Sequence, residues 1–476
     1  MRRVPYALLA LFLGLLGALL PAGAAQAAPS APVLNGTAFT DPAGNPVHAH
    51  GGGVVKVGAY YYWFGENRNA DNTFRYVSAY RSTDLVTWEF RRHVLTEASD
   101  PELGDAKIER PKVMYNERTG QFVMWMHKEN GADYSEARAA VATSPTVDGD
   151  YDYRGSFRPL GHMSRDITVF RDTDGTGYMA SAARENYDLH IYRLTDDYLG
   201  VESLVANPWP GGHREAPALF KRGGVYFMLT SGATGWNPNQ QRYATATNIA
   251  GPWSAMQNVG DSTAYGSQTA FVLPVEGTSQ TTYLYMGDRW GNSFGGTVND
   301  SRYVWLPLSF PTSTSMTMSW SPEIVVDAAA GTVTGRGGPH EALVARHSGK
   351  CVDIPSSDQW AGTDATQYTC NNGNNQRFWF RPLADGHVQL VARHSSLCLG
   401  VRDASTANNA RVEQQTCGTG TQQQWQVQDA GGGYVRLVAR HSGRCLDVIS
   451  ASTTDGTRLI QYACGTGTNQ QFSRTA

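Results

Sequence analysis

Apolar and polar positions alternate in short runs along residues 33–335, and glycine, aspartate or asparagine bounds most of the runs. Five of them stand out: Ala59–Phe64 (AYYYWF), Phe122–Met126 (FVMWM), Gly177–Ser181 (GYMAS), Val225–Leu229 (VYFML) and Thr282–Met286 (TYLYM). Short aromatic and β-branched runs between turn residues predict buried strands. Long amphipathic stripes of helical period are hard to find. The runs recur at roughly 50–60 residues, which suits a four-stranded blade and is too long for a helical repeat. Two further echoes, Ser82–Trp88 and Asn248–Trp253, are expected on second strands of their units. The pattern predicts an all-β, five-bladed β-propeller. A β-sandwich, the alternative, would turn every ~8–12 residues without the longer period.

Blades converge on a central channel, so polar residues at the inner strand ends should face one pocket. Those ends carry Glu66, Glu109 with Arg110, Asp166, Glu215 and Gln268, about one polar group per blade. Glu215 lies in Gly211–Trp236, just before Ala216 and Pro217. Proline removes a backbone donor and restrains the residue before it, so Glu215 is expected at a rigid strand entrance.

Beyond residue 341 the pattern triplicates. The sequence Leu-Val-Ala-Arg-His-Ser begins at Leu343, Leu390 and Leu437, and Gln-x-Phe or Gln-x-Trp closes each unit at Gln376, Gln423 and Gln470. All six cysteines lie here, and the threefold regularity pairs Cys351 with Cys370, Cys398 with Cys417 and Cys445 with Cys464. Three such units predict a β-trefoil. The expected division is a targeting segment at 1–28, the propeller at 29–335, a linker at 336–341 and the trefoil at 342–476.

Composition narrows the function classes. Net charge is -3 and 17% of residues are charged, with no basic block to suggest nucleic acid. Residues 1–28 have Arg2 and Arg3, an apolar run from Ala7 to Leu20, and a small-residue cleavage site at Ala25–Ala27. Export to an oxidising compartment agrees with three disulfides. The expectation is a secreted monomer, free of the membrane after cleavage. No helical His-x-x-x-His and no calcium-spaced acidic loop occurs, so no metal or cofactor is expected.

Several motifs together resemble glycoside hydrolase family 43, and within it the exo-β-1,3-galactanases: His48–Gly53 (HAHGGG), Trp63–Glu66 (WFGE), Ile108–Lys112 (IERPK), Ser164–Ile167 (SRDI), Arg214–Pro217 (REAP), Thr230–Trp236 (TSGATGW) and Gly287–Trp290 (GDRW). The resemblance implies Glu215 as general acid and Asp166 as the carboxylate that tunes it. The wider family's first-blade Asp base is absent; the HAHGGG stretch stands there, as in the subgroup. The resemblance then implies Gln268 at the attacking water, and Glu109 as essential sugar binder or rival base. Glu66, Arg110, Asn186, Glu202 and Thr234 are implied to hydrogen-bond galactose, and Trp236 or Trp290 to stack on a ring. The trefoil resembles carbohydrate-binding module family 13. That implies sugar contacts by Asp353, Tyr368 and Asn375 in the first unit and by Asp447, Tyr462 and Asn469 in the third. Gly400, Gln415 and Gln422 replace these residues in the second, which is expected to be structural.

The function expected is release of galactose from β-1,3-galactan of arabinogalactan by inversion, with the trefoil binding the polysaccharide. An arabinofuranosidase or β-xylosidase of the same fold is the alternative, and a lectin-like binder without chemistry the third.

Overall fold

The computed structural model describes residues 32–476; the expected targeting segment, 1–28, lies outside the described residues. Five four-stranded antiparallel meanders, here blades I to V, follow one another along the chain. Their first strands are His50–Val57, Ala106–Asn116, Ile167–Arg171, Arg214–Arg222 and Gln268–Glu276. Each first strand packs on the next, and that of blade V packs on that of blade I, so the ring is closed. The five aromatic runs are the second strands, shielded by a neighbouring blade on each face, which is why they read as nearly continuous apolar runs. Ser82–Trp88 and Asn248–Trp253 prove to be turns between third and fourth strands rather than second strands. In the first of these, Asp84 accepts the amides of Val86 and Thr87 and fixes the turn.

Each seam between blades has its own apolar cluster. The richest lies between blades V and I, where Trp63 and Trp88 meet Trp305 with ring centroids 5.0 and 6.1 Å apart. Burying one such side chain contributes about 2–3 kcal/mol. That seam is also where the ring must be fastened, because blades V and I are far apart in sequence. A small sheet fastens it: Val33–Leu34 pairs with Glu323–Asp327, which pairs with Thr332–Arg336. Beside it the buried Asn35 donates to the carbonyls of Trp305 and Ser321, both at 2.8 Å, and accepts the Trp305 amide at 2.6 Å.

The second body opens with His340–Ala345 and forms one twelve-stranded sheet. Its core repeats threefold: Leu343, Leu390 and Leu437 are fully buried, as are Phe378, Trp425 and Phe472. The three disulfides pair as expected, with Cα separations of 5.0–5.1 Å.

Replacing Asn35 by Ala leaves the buried Trp305 amide and two carbonyls without partners, at a cost of about 2–3 kcal/mol. Calorimetry should show the propeller transition lowered in Asn35→Ala; an unchanged transition would mean that the clasp does not hold the ring.

Candidate active site

Four of the five first strands carry an irregularity in pairing at the same end: between His50 and Gly53, Glu109 and Lys112, Glu215 and Ala218, and Thr269 and Phe271. In blades II and IV the sequence is Glu-x-Pro, and the middle residue adopts a left-handed conformation: φ is 53° at Arg110 and 52° at Ala216. Proline suits the next position because a bulge leaves it no ladder bond to donate. The bulge re-aims the preceding glutamate, so Glu109 and Glu215 occupy equivalent places in two blades and both line a cavity of about 470 Å³ on the propeller axis.

Blade I departs from this pattern. Its bulge is Gly51–Gly52, and a Cβ on Gly51 would stand 2.4 Å from Glu66 Oε1. The carboxylate of Glu66, brought from the end of the second strand, takes the space a first-strand side chain would need. That is the physical counterpart of the missing first-blade aspartate.

Glu215 is buried, 7% exposed. Oε2 accepts Asn186 Nδ2 at 2.9 Å and Oε1 accepts Gln268 Nε2 at 3.0 Å. Burial, and then the negative charge of Asp166, push its pKa up to about 8. Asp166 is held by the Arg110 guanidinium at 2.9 Å and by the Ala216 amide at 3.0 Å, inside the Glu215 bulge itself.

Glu109 has the opposite surroundings. Burial works against its charge, but Arg68 at 2.7 Å and His127 at 3.1 Å outweigh it and hold the carboxyl well below the usual range. Tyr134 donates to the same oxygen as Arg68, at 2.8 Å. Burial lowers the His127 pKa, but hydrogen bonds to Glu109 and Glu129 overcome that and raise it to about 9. Glu109, His127 and Asp166 offer ligand atoms within 4.8 Å of one another. However, both His127 nitrogens face carboxylates and Asp166 faces Arg110, so the cluster is an ion-pair network without a free nitrogen lone pair.

Gln268 uses its whole hydrogen-bonding capacity. Its oxygen accepts Arg110 Nη2 at 2.6 Å and Trp290 Nε1 at 2.7 Å; its nitrogen donates to Glu215 and to Ser231 Oγ at 2.9 Å. Arg and Trp are donors only, so these contacts fix both the amide orientation and its ordinary tautomer. The amide touches the Glu215 carboxyl directly. An acid and a water-activating group in an inverting site stand roughly 6.5–9.5 Å apart.

Of the expected sugar contacts, Glu66, Arg110, Asn186, Trp236 and Trp290 line the cavity. Glu202 does not: it sits on the outermost strand of blade III, half exposed and paired with Arg193 at 3.0 Å, because a fourth strand lies far from the axis. Thr234 is also outside the lining; its hydroxyl donates to the Asn237 carbonyl and closes its own loop. Arg68, His127, Tyr134, Arg165 and Tyr187 line the cavity without having been anticipated. Arg68 was findable, since it lies two residues beyond Glu66 and therefore on the same strand face.

In the trefoil, Asp353 accepts Asn375 and Gln376, both at 2.9 Å, and Asp447 accepts Asn469 at 2.9 Å and Gln470 at 2.8 Å. Tyr368 and Tyr462 are exposed beside them. In the second unit a Cβ on Gly400 would meet Gln415 Oε1 at 2.5 Å, and that amide oxygen accepts Gln423 in the carboxylate's stead. In the second unit this space is filled by the protein's own side chain.

Comparison with known proteins agrees with this geometry. The profile of glycosyl hydrolases family 43 matches residues 44–273, and that of the ricin-type β-trefoil lectin domain matches three overlapping spans, 332–415, 380–462 and 421–476. The crystal structure of an exo-β-1,3-galactanase from Clostridium thermocellum is similar, with 46% identity, a TM-score of 0.65, and coverage of 93% of this chain and 99% of that one. An exo-β-1,3-galactanase from Phanerochaete chrysosporium, solved with β-1,3-galactotriose, shares 26% identity at a TM-score of 0.63 over 93% of this chain and 92% of that one. Among curated proteins, a xylan 1,3-β-xylosidase of a Vibrio species is 24% identical over 200 residues, 37% of this chain; the chain spans only 35% of that protein. A propeller whose axial cavity is lined by Glu109 and Glu215, matched across nearly its whole length, places this chain in glycosyl hydrolase family 43, as a glycoside hydrolase with a C-terminal ricin-type β-trefoil lectin domain.

Proposed function

We propose that the protein is an exo-acting, inverting β-1,3-galactanase that removes galactose from the non-reducing ends of β-1,3-galactan, and that the trefoil holds it on the polysaccharide. The observation that carries this reading is the contrast between two buried glutamates in one cavity, Glu215 pushed up to about 8 and Glu109 held well below the usual range. Environments that split two carboxyls in this way suit one to give a proton and the other to take one. Similarity to galactanases along the whole chain supports the substrate class. Its three disulfides and the lectin domain are consistent with an extracellular protein acting on arabinogalactan.

In this mechanism Glu215 donates its proton to the glycosidic oxygen as the C–O bond breaks. Both its oxygens already accept neutral amides, so its own O–H has only the cavity to point into. Water adds to the anomeric carbon from the opposite face, and its proton passes to Glu109. Gln268, locked as an amide by Arg110 and Trp290, positions the acid. Asp166 keeps the acid protonated through its charge.

These roles have measurable consequences. Glu215→Gln should lower turnover of β-1,3-galactobiose by about 10²–10⁴ while sugar binding persists, and proton NMR of wild-type digestion should show α-galactose first; β-galactose first would exclude inversion. Glu109→Ala should regain activity with azide, forming α-galactosyl azide, since an anionic nucleophile needs no base; rescue of Gln268→Ala alone would move the base to Gln268. The alkaline limb of kcat/KM should lie near pH 8 and shift to lower pH in Asp166→Asn. A folded pKa raised above the unfolded value stabilises at low pH and loses that effect as pH rises towards 8. Glu215→Gln should therefore gain thermal stability over wild type between pH 5 and 9, and a pH-independent difference would contradict the buried acid.

A further inference from the structure

The propeller and trefoil meet along a cleft of about 730 Å³ that the mechanism above does not use. Its propeller wall carries Asp261, Tyr265, Phe294 and Trp320; its trefoil wall carries the turn Pro355–Ser357 with Asp358, Asn374 and Arg393. The cleft is preformed, because the two bodies are clamped beside it. Arg302 donates to the carbonyls of Ser395, at 2.9 Å, and Gln359; the rings of Phe294 and Trp360 meet at 5.4 Å; Arg381 pairs with Glu323 at 2.9 Å. A rigid groove avoids the ordering cost that a hinged one would incur on binding.

Chain neighbours of both candidate sugar sites stand in the walls of this cleft. Pro238 in its propeller wall is two residues from Trp236, which lines the catalytic cavity. Asn374 precedes Asn375, which holds Asp353 in the first trefoil unit, and the Pro355–Ser357 turn follows Asp353 on the other side. No residue of the third unit lines the cleft. The chemistry inside is that of a neutral sugar chain. Aromatic faces stand beside hydroxyls, amides and charges of both signs, with Asp261 and Asp358 balanced by Arg289 and Arg393. Several polar groups there lack partners among the described residues, the Trp320 indole N–H among them. Arg289 Nε, on a residue only 7% exposed, is unpaired, and the Arg393 guanidinium makes no hydrogen bond or ion pair among the described residues.

We infer that this cleft is a carbohydrate subsite that carries a galactan chain from the first trefoil unit to the mouth of the catalytic cavity. The inference rests on the galactan reading and adds a path to it. The first trefoil unit then feeds the hydrolase, while the third binds polymer independently.

Calorimetry with a ladder of β-1,3-galacto-oligosaccharides, from the disaccharide upward, on full-length Glu215→Gln protein tests the inference. Affinity should rise with chain length, and adding Trp320→Ala or Arg393→Ala should cut that rise by about five- to tenfold, the effect of losing a stacking or hydrogen-bonding contact. Tyr368→Ala should reduce it as well, and Tyr462→Ala should not. Arg393 is exposed, so its variant folds even if Trp320→Ala does not. An unchanged length dependence in Arg393→Ala would overturn the cleft while leaving the galactan reading intact. Absence of binding by every oligosaccharide would overturn both.

Discussion

A single buried guanidinium organises the catalytic end of the propeller. Arg110 reaches Asp166 of blade III, Gln268 Oε1 and the Thr269 carbonyl of blade V, while its own backbone forms the bulge of blade II. It donates to the oxygen of the amide that touches Glu215, and it pairs with the carboxylate whose charge raises the Glu215 pKa. A cation at this point opposes the rise in the Glu215 pKa, yet burial and Asp166 prevail. Glu215 is therefore held between opposing influences rather than isolated in an apolar pocket, and Arg110 links its surroundings to blades II, III and V.

Backbone geometry delivers these side chains. A left-handed residue with a Cβ costs roughly 1–2 kcal/mol, and the chain accepts that at Arg110 and Ala216, each directly after a cavity glutamate. Strain of this kind persists where neighbouring strands over-determine the conformation. Here the ladders resume on either side of each bulge and fix it. Blade I solves the same problem with glycines, and its lost side chain is replaced by Glu66 from the adjacent strand. The site thus keeps a carboxylate in that quadrant while changing which strand supplies it, and Arg68 holds that carboxylate at 2.8 Å.

The trefoil breaks its own symmetry by the same economy of space. With Gly400 in place of a carboxylate-bearing residue, Gln415 folds inward, so the second unit keeps its core while its own side chain fills the space that Asp353 and Asp447 take in the others. The first and third units keep the Asp–Asn–Gln cluster, and of these two the first adjoins the interdomain cleft.

Repetition made most of this architecture legible. Turn residues and apolar runs repeat because each blade must bury the same two faces, and the triplicated Leu-Val-Ala-Arg-His-Ser repeats because three units share one barrel core. The disulfide pairing followed from that regularity. Position at an inner strand end marked Glu109 and Glu215, and Pro217 placed Glu215 at a rigid strand entrance; the bulge that re-aims both glutamates emerged from the strand pairing. What patterns could not convey is which polar atoms saturate one another across blades. Glu202 and Thr234 carry suitable groups, but one lies on an outermost strand and the other closes its own loop. Gln268 was legible as a cavity residue, whereas its contact with Glu215 depends on Arg110, Trp290 and Ser231 arriving from three other blade segments. Local sequence determines where a strand begins and which way its side chain points. The partners that set a buried group's charge come from residues distant in the chain, and only closure of the ring brings them within hydrogen-bond reach.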